Sequence, residues 1–250
     1  MVDLSMIKKP DLTQVKRVLA VQPHYDDNDI SVGGTLHHLG KNGVEIIYLT
    51  VTDDLAGVID PSWDEDQSRE NLEVDQKAAG KIIGVTQHIR LGMPDAGNYD
   101  YFRLRDQIIS VIRQVKPDFL FTVDPWTPYE AHNDHIMTGK ACAEAAILYG
   151  LPNVGIDKGE KLTNYELTGV GFYNSAFPNF VYDISGVIHF KQQALACYAA
   201  QFSPTGLKEL IQQTTFLAEY VAKEESFEFG EAFKLISPWM LHGVPMTMTL

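Results

Sequence analysis

The chain has 250 residues, 45% of them hydrophobic and 21% charged, which is enough apolar material for a large core without disulfides and too much for a disordered protein. Two cysteines, Cys142 and Cys197, exclude a disulfide scaffold and read as small core residues of a reducing compartment. Thirty-three acids against 20 Lys plus Arg leave a net charge of −13, which repels phosphate backbones and argues against nucleic acid or an anionic membrane as partner. The opening MVDLSMIKKPDL holds no apolar run of signal-peptide kind, and no window reaches the roughly 18 apolar residues of a membrane span. The expectation is a cytoplasmic protein acting on a neutral or cationic small molecule.

In chain order, Arg17–Val21 (RVLAV) is a compact apolar run suited to a buried parallel strand. Ile30–Lys41 reads as a helix closed by Asn42-Gly43, with Asn28 or Asp29 as its cap. Val44–Val51 is a second strand, Ser68–Ile83 an amphipathic helix ending at Gly84, and Thr86–Leu91 a third strand. Phe102–Val115 is a helix stopped by Pro117, Phe119–Val123 a fourth strand, and Asp134–Tyr149 a helix that Asp134 can cap. This alternation predicts an α/β fold, a Rossmann-like parallel sheet with helices on both faces. Beyond Leu151 the pattern changes. Val170–Asp183 suggests one or two extra strands, and Val187–Gln201 and Leu207–Lys223 suggest C-terminal helices. No linker or repeat interrupts residues 1–250, so a single domain is expected.

Functional residues of open parallel sheets collect beyond the carboxyl ends of the strands. Two loops there stand out: PHYDDND after the first strand, with His24, Asp26, Asp27 and Asp29, and DPWTPYEAHNDH after the fourth, with Asp124, His132, Asp134 and His135. Three of the chain's eight histidines fall in these loops. Imidazole nitrogen and carboxylate oxygen suit a borderline metal such as zinc, whose catalytic sites take three protein ligands and leave one position open. His24 and Asp27 with one histidine of the second loop make such a set, and Asp26 is then free as a base. A second histidine can stabilise an oxyanion, so the parts suit metal-assisted hydrolysis of an amide or ester. His37, His38, His88, His189 and His242 read as packing residues. Gly33-Gly34 lacks the remaining spacing of a dinucleotide-binding turn.

The two loops resemble the paired signatures of the PIG-L/LmbE-type zinc deacetylases, in which His-Pro-Asp-Asp follows the first strand and His-Pro-Asp-His a later one. Here they stand as His24-Tyr25-Asp26-Asp27 and His132-Asn133-Asp134-His135, with a tyrosine and an asparagine in place of the prolines. The likeness continues through VGGTLHHLGKNG, SRENLEVDQKAAGKIIGV, LGMPDAG, KQQALACYAAQF and FGEAFKL, from about Val18 to Phe233. PWTPYEAHNDH is most similar to the diacetylchitobiose deacetylase branch. The resemblance implies zinc on His24, Asp27 and His135, Asp26 as general base, His132 at the oxyanion, and Asp134 orienting and charging that imidazole. It implies Arg69 and Asp95 as sugar-binding residues; on their own they read as a helix-start ion pair with Glu70 or Glu73 and a turn. It also implies an N-acetylglucosamine-containing substrate and a homo-oligomer, hexamers being common among relatives. Trp126, Tyr129, Tyr99 and Phe177 are candidates for a sugar-stacking cleft. The alternative function is a non-catalytic sugar- or metal-binding module on the same scaffold.

Overall fold

A computed structural model describes residues 9–157 and 165–249. The first eight residues, most of the leader segment read above, lie outside the described residues. Strands β1 (Arg17–Gln22), β2 (Glu45–Thr52), β3 (Val85–Met93), β4 (Phe119–Val123), β5 (Gly169–Tyr173), β6 (Phe180–Asp183) and β7 (Gly230–Ile236) form one seven-stranded sheet in the order β3-β2-β1-β4-β5-β7-β6. The first five are parallel, as the alternation predicted, and β7 runs antiparallel between β5 and β6. Helices α1 (Asp27–Lys41), α2 (Glu65–Ile83), α3 (Tyr101–Val115), α4 (Asn133–Leu148), α5 (Ile188–Leu195) and α6 (Pro204–Ala222) complete the fold.

The two faces of β1 explain the layering. Val18 and Ala20 join one core cluster with Val32 and Leu36 of α1 and Leu72 of α2. Leu19 and Val21 point the other way, to Ile108 and Ile112 of α3 and Ala141 and Ala145 of α4. A strand buried on both faces has no polar alternation, which is why RVLAV is continuously apolar. Cys142 is buried in the second cluster and Cys197 is half-buried.

Helix starts carry the expected chemistry, often earlier than the periodicity suggested. α2 begins at Glu65 because Asp64 and Gln67 close a reciprocal capping box. Asp100 accepts the Arg103 N–H at the start of α3, and Ser203 accepts that of Gly206 before α6. The capping expectations for α1 and α4 are corrected. Asn28 and Asp29 are already inside α1 and fully buried: the Asn28 amide donates to the Ala20 carbonyl, while Asp29 accepts the hydroxyls of Tyr48 and Tyr198. His132, not Asp134, caps α4, its Nδ1 accepting the Asp134 N–H at 3.3 Å.

Two further differences come from tertiary contacts. α5 ends at Leu195, short of the predicted Gln201. β7 went unpredicted because GEAFKLI carries Glu231 and Lys234 in a strand that is nonetheless buried. Glu231 is matched at 2.6 Å by Lys191, also buried, and accepts the peptide N–H groups of Gly34 and Thr35 within α1. Gly34 is glycine for packing: a Cβ there would lie 2.9 Å from Ile184.

Candidate active site

β1 and β4 are neighbours, yet α1 leaves β1 toward one face and α4 leaves β4 toward the other. The crevice between their departing loops is the switch point of the sheet. It holds a cavity of about 330 Å³ lined by His24, Asp26, Asp27, Asp95, His132 and His135, with Asp54 and Gln201 on its wall.

The β1 loop is fixed by main-chain bonds that continue the β1–β2 pairing. Thr52 donates its N–H to the Pro23 carbonyl at 2.9 Å, and its hydroxyl does the same. Asp27 accepts the His24 N–H at 2.9 Å, which turns the loop back on itself. The acid at the start of α1 also meets the positive end of the helix dipole.

Around Asp27 stand two imidazoles. His24 Nδ1 lies 3.1 Å from Asp27 Oδ2, and His135 Nε2 lies 3.4 Å from Asp27 Oδ1. Bonds of about 2.0–2.1 Å at the tetrahedral angle set neighbouring donors roughly 3.3–3.4 Å apart, so this spacing fits a zinc-sized ion. Among the described residues, His24, Asp27 and His135 are accordingly one of two groups whose donor atoms all lie within 4.8 Å of one another. The outer nitrogens agree. His24 Nε2 faces Asp95 Oδ1 at 3.3 Å and Asp134 Oδ2 at 3.6 Å. His135 Nδ1 faces Glu130 Oε2 at 3.2 Å, in ion-pair reach though not aligned for a hydrogen bond. A carboxylate behind each imidazole is the arrangement that orients metal-ligating histidines.

Electrostatics point the same way. Burial disfavours a charged His24, but the hydrogen-bonded carboxylates of Asp27 and Asp95 outweigh it and push the pKa up to about 11. Asp27 is driven up by burial and down more strongly by His24 and His135, to about 2. Asp26 is held well above the usual carboxylate range by burial and by the charges of Asp27 and Asp54. Burial likewise raises Asp54 to about 7. So much buried acid is short of positive charge, and protons occupy the role a cation would fill.

The remaining site residues are placed with more variety. Among the described residues, the Asp26 carboxylate accepts no hydrogen bond from another residue, though it lines the cavity. His132 packs edge-on to His24 with ring centroids 4.7 Å apart. Its Nδ1 is occupied by a peptide N–H, so in the neutral ring the proton sits on Nε2. The Asp134 carboxylate is 3.9 Å from His132 Nδ1 and is bonded instead to the Ala96 N–H and the Tyr99 hydroxyl. The main-chain N–H of Asp134 is thus the contact that sets the His132 ring. Arg69 sits outside the cavity lining, tied to Glu65 at 2.6 Å and Asp53 at 3.3 Å rather than to Glu70 or Glu73. Asp95 lines the cavity, with one oxygen toward His24 and the other on the Ala56 N–H.

None of the four aromatic candidates lines this cavity. Tyr99 buttresses Asp134, Trp126 and Phe177 border a separate apolar hollow near the C-terminal turns, and Tyr129 projects into solvent. Glu130 and Asp54 were not singled out in the sequence. Glu130 lies inside the quoted DPWTPYEAHNDH run, whereas Asp54 follows β2 with no motif to mark it.

An α/β sheet with a His–Asp–His group at its switch point and an unpaired carboxylate beside it has the layout of an amide hydrolase. The family model described as GlcNAc-PI de-N-acetylase, PIG-L, matches residues 19–146. A diacetylchitobiose deacetylase of Thermococcus kodakarensis is 32% identical over 234 residues, covering 92% of this chain and 87% of that one. A 1D-myo-inositol 2-acetamido-2-deoxy-alpha-D-glucopyranoside deacetylase of Kineococcus radiotolerans is 27% identical over 168 residues, 55% of this chain and 46% of that protein. Among solved structures, the N,N'-diacetylchitobiose deacetylase of Pyrococcus horikoshii with its inhibitor superposes with a TM-score of 0.89 at 27% identity, covering 96% of this chain and 90% of that one. The chain belongs to the PIG-L family, and its activity class is that of an N-deacetylase, a hydrolase of carbon–nitrogen bonds in linear amides. No described helix is long and apolar enough to cross a membrane.

Proposed function

We propose that the chain is a zinc-dependent enzyme that removes the N-acetyl group from an N-acetylglucosamine-containing small molecule, a chitooligosaccharide or a GlcNAc conjugate. The carrying observation is the spacing of His24 Nδ1, Asp27 and His135 Nε2, with a carboxylate behind each imidazole. The named substrate of the Thermococcus relative, which matches nearly the full chain, supports the sugar class.

His24, Asp27 and His135 would hold a divalent ion, which would supply Lewis acidity toward water and an amide carbonyl. Asp26 takes a proton from the attacking water, a role suited to a carboxyl held well above the usual carboxylate range by burial and neighbouring acids. The same carboxyl then returns the proton to the leaving amine. His132 donates Nε2–H to the oxyanion, its ring held in that tautomer by the Asp134 N–H. Asp95, on the cavity wall, and Arg69, beyond the cavity lining, are the residues we assign to the sugar hydroxyls; Asp95 also braces His24, and Arg69 must leave Glu65 to reach in.

We read residues 1–250 as one catalytic unit, because both loops and both C-terminal strands belong to a single sheet. Exposed Phe216, Leu217 and Tyr220 on α6 give a homo-oligomer apolar surface to bury, and the two free cysteines suit the cytoplasm. Elemental analysis and acetate release over a panel of acetamido sugars test the function. Asp26→Asn is expected to keep its zinc and lose about 10²–10⁴-fold in kcat. Parent-rate hydrolysis by that variant removes Asp26 from the mechanism, and a wild-type chain without zinc or acetate release refutes the proposal.

A further inference from the structure

The turn that carries His24, Asp26 and Asp27 has a tyrosine where the resembling signature has proline. Proline would lock φ and present no N–H; tyrosine does neither, and leaves a peptide donor in a place where only 4% of the residue is exposed. A buried N–H must find an acceptor. Here it is Asp54, whose Oδ2 accepts the Tyr25 N–H at 3.0 Å.

Asp54 is built for that contact. It lies just past β2, is 2% exposed, and holds φ at 58°, in the left-handed region that aspartate and asparagine enter more readily than other side chains. Backbone of this kind persists where the surroundings insist on it, often at functional sites. The other side of Tyr25 is equally occupied. Its carbonyl lies 3.2 Å from the amide nitrogens of both Gln22 and Gln76 and 3.0 Å from the Tyr198 hydroxyl, and its ring lies under the Arg90 guanidinium at 5.3 Å. The Arg90 guanidinium is itself bonded to Gln76 at 2.7 Å.

We infer that Asp54 is a positioning residue for deacetylation: by accepting the Tyr25 N–H it imposes on the turn the constraint that a proline would otherwise supply. It acts through the turn and makes no hydrogen bond or ion pair with His24, Asp27 or His135. A hydrogen bond to a buried peptide N–H is a firm constraint on a loop, because losing the acceptor leaves that donor to bear its full desolvation cost. This inference rests on the metal-site reading given above.

The experiment separates acceptor, charge and backbone. Asp54→Asn keeps a carbonyl oxygen for the N–H and the tolerance for positive φ, and is expected to stay within about threefold of wild type in kcat, KM and zinc affinity. Asp54→Gly keeps the φ and deletes the acceptor, and is expected to lose about tenfold in kcat and in zinc affinity, measured by chelator competition, with KM within about twofold. In a Tyr25→Pro background, where no N–H exists, Asp54→Gly is expected to cost no more than about twofold. Circular dichroism and melting check that each variant folds, and the Asn–Gly comparison decides the matter alone where Tyr25→Pro does not. Wild-type behaviour of Asp54→Gly overturns the inference, as does an Asp54→Asn loss equal to that of glycine, which would make the charge the operative feature. Zinc-free, inactive wild-type protein overturns the metal reading and this inference together, whereas an active wild type with an unaffected Asp54→Gly overturns this inference alone.

Discussion

Removing one partner of the Lys191–Glu231 pair gives the sharpest test of how the α1 turn is held. Both side chains are buried, Nζ and Oε1 are 2.6 Å apart, and Glu231 also accepts two α1 peptide N–H groups at 3.0 and 2.8 Å. In Lys191→Met the carboxylate keeps those two donors, so the expected cost is moderate, about 2 kcal/mol. Glu231→Gln leaves an ammonium buried without its countercharge, and breaking such a pair costs about 3–5 kcal/mol. For a chain of this size that is a melting-temperature fall of roughly 6–20 °C. The double variant removes both charges, so it is expected to be at least about 1.5 kcal/mol more stable than the sum of the singles implies. Urea and thermal unfolding of the four proteins measure the cycle. Additive losses, or a Glu231→Gln variant within about 1 kcal/mol of wild type, would show that the pair does not support α1 in this way.

Two further outcomes follow from packing and charge. Gly139 lies one helical turn beyond His135, and a Cβ there would meet the Val123 carbonyl oxygen at 2.5 Å. Gly139→Ala is therefore expected to push α4 off β4, costing about 1–3 kcal/mol in unfolding experiments and weakening metal binding at the site proposed above. His88 is brought down to about 4 by burial and by Arg90 and Lys77, with Glu73 opposing. The unfolded chain thus binds a proton that the folded chain refuses: this share of stability is complete above about pH 6.5 and lost as pH falls toward 4. Screening at this partly exposed group leaves about 1–2 kcal/mol, and His88→Gln should flatten that part of a melting profile between pH 7 and 4.5.

How far residues alone revealed this molecule depended on where their partners lie. Strands β1, β2 and β4 were legible because burial on both faces makes them largely apolar, as in Phe119–Val123, whose predicted and observed ends coincide. The coming together of His24, Asp27 and His135 was legible because two short loops concentrate the histidines. What escaped were residues whose meaning is set by distant chain. β7 reads as polar until Lys191 and α1 are seen to satisfy Glu231. Asn28 and Asp29 look like caps until Ala20, Tyr48 and Tyr198 claim them. Asp54 has no signature of its own, only a peptide N–H supplied by Tyr25. The aromatic residues misled for the converse reason, since a ring in a loop gives no hint of which hollow it borders.

The position of β7 has a consequence for synthesis. The strand nearest the end of the chain is threaded into the sheet interior, and its Glu231 reaches helix α1 across 197 residues. A polypeptide leaving the ribosome therefore displays His24, Asp27 and His135 well before the group that braces the middle of helix α1 has been made. Contacts of such long sequence separation form late and slowly. The packing of helix α1 is accordingly completed only after the loops that carry His24, Asp27 and His135 have been made.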